Sequence, residues 1–562
     1  SSPRSGPVRW SSAYPALVFA VIFVLIFLLH APLLRLPYFW DEAGYYVPAA
    51  RDLLLTGSLI PHSTVSNAHP PLVMAWLALW WKVAGYAPLV TRTAMLVVAA
   101  FSLLGLFRLA ERVANTQVAI GSTICTALYP VFFAQSSLAQ VDLAAAGLTF
   151  WGLAAYVEGE TITTTFWFAL AALAKETAIL APVALAGWEI IGLLARKSSL
   201  RKLWPEGEDR KSRANSVRRA ASLLIPAIPL ALWYGYHYAS TGYVFGNPEF
   251  FRYNIAATFS LSRFALALAM RVWQIGGYLH LWVLTLAMLA AMWILPPRRD
   301  PAGERPRISL PTQMVFYIVI FAYVVAMALI GGAVLARYML PAVPLVIIVS
   351  VSTLWRRLRY WRLVVACVAI VFVVAWFWNP PYGFSLEDNL ACRNYVVLHE
   401  DGEHFLEAHY PGARVLTAWP ASDEITQPWL GYIRRPMRVV RIENFALNEV
   451  LSAASHSNYQ VALIFSTKYE PGPAVWDRWQ VWTELKTRFF GFHRDLPPAA
   501  VAQILGGHIV FSERRRGQWV AVIEMEQVEE AFGFPLTWEL LPDERGSPCE
   551  PGLVDVCRFS RR

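Results

Sequence analysis

Cysteine and charge are both scarce in this chain. Five cysteines in 562 residues exclude a scaffold built on disulfides. Cys125 and Cys367 fall inside apolar runs, where a thiol behaves as a small hydrophobe. Cys392, Cys549 and Cys557 lie in the C-terminal region, where one disulfide is open and its pairing undetermined. Only 15% of residues are charged while 56% are hydrophobic, too apolar for a soluble multidomain protein. The net charge is +9, yet no basic tail or face carries it, which argues against nucleic-acid binding. Paired halves with helices broken at mid-membrane, a frequent mark of transporters, are also missing.

What is present is a succession of apolar stretches of about 20 residues, the length that crosses a bilayer as a helix. They recur from Tyr14 to about Trp378. The fold class expected is a polytopic α-helical membrane protein with interfacial helices and a C-terminal soluble α/β domain. Arg4 and Arg9 precede an apolar run with no small-residue cleavage site, so an uncleaved first span with a cytoplasmic N-terminus is expected. Arg108 and Arg112 lie in one short loop. Arg196, Lys197, Arg201, Lys202, Arg210, Lys211, Arg213, Arg218 and Arg219 fill a second. Arg298, Arg299, Arg305 and Arg307 fill a third, and Arg356, Arg357, Arg359 and Arg362 a fourth. Placing all four inside satisfies the positive-inside rule and gives about eleven spans. These fall near 14–34, 88–107, 117–135, 142–157, 163–177, 178–195, 220–239, 276–295, 313–332, 338–354 and 362–378.

The stretch from Leu72 to Tyr86 cannot cross fully without inverting every later loop. It is expected to lie in the outer interface, with Trp76, Trp80 and Trp81 at headgroup depth. A first surface helix is expected over Tyr45–Leu55, and a second outer loop, from Ser240 to about Arg271, ends in a further interfacial helix. An odd span count puts the C-terminal part outside. Residues 1–379 form the membrane domain. Residues 380–562 form the α/β domain, with a helix near Glu387–His409. Its strands are expected at Ala413–Trp419, Met437–Ile442, Tyr459–Phe465 and His508–Glu524, the last holding a hairpin turn at Glu513–Gly517.

With this threading, ionisable residues from separate turns meet at one outer level. Asp41, Glu42 and His69 lie in the first loop, Arg92 at the outer end of the second span, and Asp142 at the next outer turn. Lys175 and Glu176 share another turn, and Arg337 precedes Tyr338 at a later one. Each has a plainer reading. Asp41 and Asp142 could cap helices, His69 could stiffen a loop before two prolines, and the cations could snorkel to headgroups. His237 and His280 read as aromatic-belt residues rather than metal ligands. Groups at that depth are costly unless paired or hydrated, so convergence favours a shared polar cavity.

The motifs, in order, are Asp41-Glu42 after the first span, His69-Pro70-Pro71-Leu72, Arg92 after Tyr86-Ala87-Pro88, Val141-Asp142, Ala174-Lys175-Glu176-Thr177 and Arg337-Tyr338-Met339-Leu340-Pro341-Ala342. Together they resemble the GT-C class of membrane glycosyltransferases, in the protein O-mannosyltransferase and lipid A aminoarabinose-transferase superfamily. The resemblance covers most of residues 14–354. It implies a polyprenyl-phosphate sugar donor, an outer-face active site and inversion at the sugar. Gly44 stands where the aminoarabinose transferases carry an arginine, which points away from lipid A modification.

In chemical terms, an acceptor hydroxyl must lose a proton as it attacks the anomeric carbon, and a carboxylate can take it. Asp41 is the expected base, with Glu42 and Asp142 orienting the acceptor or sharing that role. Arg92, Lys175 and Arg337 are expected to hold the leaving phosphate, and His69, Tyr45, Glu176 and Tyr338 to line the substrate loop. No cofactor is required and a divalent cation is optional. The expected partners are the lipid-linked donor, membrane lipid and an acceptor of open identity. Family likeness and the lack of eukaryotic retention signals suggest a bacterial inner membrane with the active site facing the periplasm. The alternatives are a metal-dependent transferase using a lipid-pyrophosphate donor, and a non-enzymatic transporter.

Overall fold

The structure is a computed structural model that describes residues 13–195, 204, 213–248, 260–301, 303–330, 332–455, 458–469, 478–490 and 493–526. Cys549, Cys557 and most of the expected basic loop from Arg196 to Lys211 lie outside the described residues. Residues 1–525 form one compact unit.

Helices fall where the apolar runs dictate. They include Ala13–His30, Pro88–Val113, Asp142–Glu158, Thr161–Ala174, Leu180–Leu194, Leu310–Ile330, Val343–Arg357 and Trp361–Phe377. Among the described residues, five helical stretches are long and apolar enough to cross a bilayer: Tyr14–Leu33, Pro88–Val113, Glu176–Leu194, Leu261–Ile294 and Leu310–Ile330. The outward faces of these stretches expose large apolar side chains such as Leu25, Leu28, Trp293 and Phe321. Water would make such a surface unfavourable and lipid would not; the chain is an integral membrane protein. Pro88–Val113 sits centrally, packed on Ala13–His30, Thr116–Leu128 and Asp142–Glu158. Gly105 and Gly147 allow those approaches, since a Cβ at Gly147 would meet Ser102 Oγ at 1.9 Å and one at Gly105 would meet the Trp151 ring at 2.7 Å.

The Leu72–Ala84 helix has 13 residues, about 20 Å of rise against a hydrocarbon core of about 30 Å. It is too short to span. Of the three tryptophans expected at headgroup depth, Trp81 instead turns inward. It is buried, and its indole donates to Thr91 Oγ1 at 2.9 Å. Trp76 donates to the Ala94 carbonyl at 3.1 Å. The Leu261–Gly276 helix runs close to the following span and is separated from it by a kink at Leu279 and His280, both with positive φ. His237 is not at a lipid surface. It is buried and bonded to Ser66 and to the Tyr243 carbonyl.

Beyond the last apolar helix, Ala391–His409 covers a five-stranded sheet in the order 438–442, 414–418, 461–465, 518–525, 507–515. The first three strands are parallel and the last two antiparallel. Val461–Phe465 is buried throughout, as a central strand covered on both faces must be. Arg515 pairs with Gln518, leaving a two-residue turn of Arg516 and Gly517, both at positive φ, the backbone a tight hairpin requires. Cys392 is a buried free thiol.

Candidate active site

The turn after the first helix places the two acids differently. Trp40 is held at φ 43°, a conformation non-glycine residues adopt only under constraint. The constraint is visible: its ring meets Tyr395 at 5.6 Å and Trp419 at 5.1 Å, both edge-on. Asp41 follows at the start of a one-turn π-helix, Glu42–Tyr46, and its side chain makes no capping bond. It points instead to Arg337, with Oδ2 2.6 Å from Nη2, and its side chain remains 32% exposed. Glu42 has no exposure at all. It accepts from the Phe39 amide at 2.8 Å, from the Ala139 amide and from Arg92 Nη1.

Arg92 is fully engaged in that scaffold. Besides Glu42 it donates to the Ser137 carbonyl at 2.9 Å and to the Pro37 carbonyl at 2.8 Å. One guanidinium thereby ties three segments together, using the fork geometry that favours arginine at such junctions.

Arg337 is the hub. It lies in the Ala336–Met339 turn and is buried. Nη1 donates to Gln140 Oε1 at 2.5 Å and Glu387 Oε2 at 2.6 Å, while Nε stands 3.4 Å from Asp142 Oδ2. Asp142 is the first residue of its helix rather than its cap, and its other oxygen lies 2.5 Å from Lys175 Nζ. His69 and Glu176 form a neighbouring pair at 3.0 Å, with the rings of Tyr45 and Tyr46 against the imidazole. The ten residues singled out from sequence fall into three groups, of which the first two are Asp41, Asp142, Lys175, Arg337 and Tyr338 around the hub, and Glu42 paired with Arg92. His69, Glu176 and Tyr45 line the adjoining loop.

Sequence reasoning missed Gln140, Glu387, Asp388 and Arg271. Glu387 and Asp388 come from the segment beyond the last apolar helix and are buried. Burial, then the neighbouring Glu387 charge, pushes the Asp388 carboxyl up to about 8, and it meets the Tyr278 hydroxyl at 2.6 Å. Arg271 is buried, held by Gln274 Oε1 at 2.8 Å and the Leu335 carbonyl at 2.7 Å. Among the described residues no carboxylate lies within ion-pair distance of it. Three cations surround the ring of Tyr338: Lys175 Nζ at 4.0 Å from its centroid, and the guanidinium carbons of Arg271 and Arg337 at 5.6 Å each. Asp41, Asp142 and Glu387 lie against Lys175 and Arg337, so an incoming anion must compete with carboxylates for those two cations but not for Arg271.

The fold places the chain beside solved structures of membrane proteins, and one segment of it matches a protein-family model. Residues 68–207 match the model of the family described as dolichyl-phosphate-mannose-protein mannosyltransferase. Among solved structures, the chain is similar to ArnT from Cupriavidus metallidurans in the apo state, with 14% identity over 91% of this chain and 98% of that one and a TM-score of 0.50. The same protein bound to undecaprenyl phosphate matches at 13% identity over the same shares, with a TM-score of 0.49. An oligosaccharyltransferase from Archaeoglobus fulgidus, in complex with zinc and sulfate, matches at 12% identity over 90% of this chain and 72% of that one, with a TM-score of 0.44. No curated protein matches in sequence.

Gly44 gains a physical account. A Cβ there would lie 2.5 Å from Cζ2 of Trp419, so the indole occupies the space that any side chain at this position would need.

Proposed function

We propose that the protein transfers a sugar from a polyprenyl-phosphate donor to an acceptor hydroxyl at the extracytoplasmic side, with inversion. The observation that carries this reading is the pairing of a solvent-reachable carboxylate, Asp41, with three buried cations around Tyr338. A base and an anion cradle side by side are what a direct displacement at a glycosyl phosphate needs. The family description over residues 68–207, with its dolichyl-phosphate-mannose donor, supports the same donor class.

Asp41 takes the acceptor proton. Arg337 leaves Asp41 for the donor phosphate as it enters, which frees the carboxylate to act as base at the moment the electrophile arrives. Lys175 and Arg271 meet the remaining phosphate oxygens and stabilise the charge that grows as the glycosidic bond breaks. Asp142 and Glu387 hold the cations in place, and Glu42 with Arg92 fixes the loop from behind.

The test is a panel of radiolabelled polyprenyl-phosphate sugars incubated with the purified protein and membranes, scoring which label moves. Asp41→Asn should lower turnover by about 10²–10⁴-fold while donor binding stays near wild type. Wild-type turnover in that variant would remove Asp41 from the role of base. Failure of every polyprenyl-phosphate sugar, with transfer from a pyrophosphate-linked donor, would replace the donor class.

A further inference from the structure

A second group of buried ionisable side chains lies in the sheet-bearing region. His399 and Glu403 stand one turn apart on the Ala391–His409 helix, so their side chains share a face. Glu424 ends the short Ala421–Glu424 helix. His399 Nδ1 is 2.6 Å from Glu424 Oε2 and 3.8 Å from Glu403 Oε1. One nitrogen or oxygen from each residue lies within 4.8 Å of the other two. The imidazole is 1% exposed and both glutamates are wholly buried.

The electrostatics of this group are unfinished. Among the described residues, neither glutamate has a lysine or arginine within ion-pair distance. No described N–H or hydroxyl donor reaches either oxygen of Glu403 or Oε1 of Glu424, and the two carboxyl groups lie within hydrogen-bond reach of each other. Independently, the hydroxyl of Tyr395 is buried without a partner and lies within electrostatic reach of both carboxylates. The Oγ of Ser422, two residues before Glu424, is likewise buried and unpartnered. Buried polar groups are nearly always satisfied, and two adjoining carboxyl groups sharing one imidazole call either for protons of their own or for a bound cation.

A divalent cation would offset two carboxylate charges and engage their remaining lone pairs. One imidazole nitrogen with carboxylate oxygens is a donor set that suits zinc. Ligand atoms about 2.0–2.2 Å from zinc stand roughly 3–3.5 Å apart, so the ion would replace the 2.6 Å hydrogen bond between His399 and Glu424, with Glu403 moving in from 3.8 Å. The fourth position of a tetrahedron is left for water or the Tyr395 hydroxyl.

We propose that His399, Glu403 and Glu424 form a buried zinc site that clasps the Ala391–His409 helix to the segment carrying Trp419. The ion would be structural, since all three ligands are buried. The site does not depend on the glycosyl-transfer reading and is tested without an activity assay.

Full-length protein purified in detergent and dialysed against metal-free buffer should retain about one zinc per chain by elemental analysis. Glu403→Gln and, separately, His399→Gln should retain less than about a fifth of that. After chelator stripping, zinc chloride alone should raise the wild-type unfolding midpoint by about 5 °C or more and leave both variants unmoved. Two protonated carboxyls are the rival explanation. They predict a metal-free protein, no zinc response, and a Glu403→Gln variant at least as stable as wild type; that outcome overturns the proposal. Should the variants fail to fold, zinc-edge X-ray absorption of the wild type decides. One imidazole nitrogen with carboxylate oxygens supports the site, and a sulfur-containing shell, several imidazoles or no bound zinc overturns it.

Discussion

Asp41 and Glu42 are chain neighbours that the backbone sends to opposite environments, and substitution should separate their roles. Glu42→Gln leaves the buried Arg92 without its counter-charge, and removing one partner of such a pair costs about 3–5 kcal/mol. Its unfolding midpoint should fall well below wild type. Asp41→Asn, whose partner Arg337 keeps Glu387, should leave that midpoint nearly unchanged while turnover collapses. Arg271→Gln should raise the donor KM more than it lowers kcat, because this guanidinium has no carboxylate to release before it can meet phosphate. Asp388 adds a pH signature. Its folded pKa, about 8, lies above its unfolded value, so the fold holds a proton that the unfolded chain gives up. The stability this provides is complete below about pH 4 and is lost as pH rises through about 8, at up to about 1.4 kcal/mol per pH unit. Thermal scans from pH 5 to 9 should show a decline in wild type that Asp388→Asn lacks.

At the scale of elements, what the sequence revealed depended on whether the signal was local. Apolar length located most of the helices, although five stretches among the described residues, against about eleven expected spans, are long and apolar enough to cross a bilayer. Alternating or apolar runs bounded by turns located the strands, down to the Arg516-Gly517 turn. Asp41, Asp142, Lys175 and Arg337 were legible because each sits at the end of an apolar run, where charge is conspicuous. Glu387 and Asp388 were hidden in an ordinary polar stretch, and only the tertiary approach of that segment to Arg337 gives them meaning. Arg271 was hidden differently, as one more basic residue at the end of an amphipathic helix. The four-residue spacing of His399 and Glu403 was readable on an expected helix, but Glu424 comes from another element and completes the group only in three dimensions. Contacts between elements also explain Gly44. Gly44→Ala drives a methyl into the Trp419 indole, which should cost about 1–3 kcal/mol and disturb Asp41, three residues away. A lower midpoint together with reduced turnover would be the expected pair of effects, and an unchanged midpoint would mean that the indole moves freely.

Taken as a whole molecule, the described chain beyond residue 379 packs directly against the candidate site. Tyr432 donates to the Tyr38 carbonyl at 2.9 Å, Tyr86 donates to the Trp429 carbonyl at 2.9 Å, and Gln140 donates to Glu387 at 3.0 Å. We therefore expect a protein ending at residue 379 to insert into membranes yet transfer no sugar, even with the separate C-terminal piece absent from the acceptor's path. Radiolabel transfer by that shortened protein at more than a few per cent of wild type would contradict the expectation.

The contact between Gly44 and Trp419 carries one more implication. A bare backbone position on one lobe and a bulky ring on the other are matched like key and ward, so neither can drift independently. Hybrids that graft a foreign C-terminal part onto these membrane helices should fail unless the pair travels together, and lineages that exchanged one part would have had to inherit both.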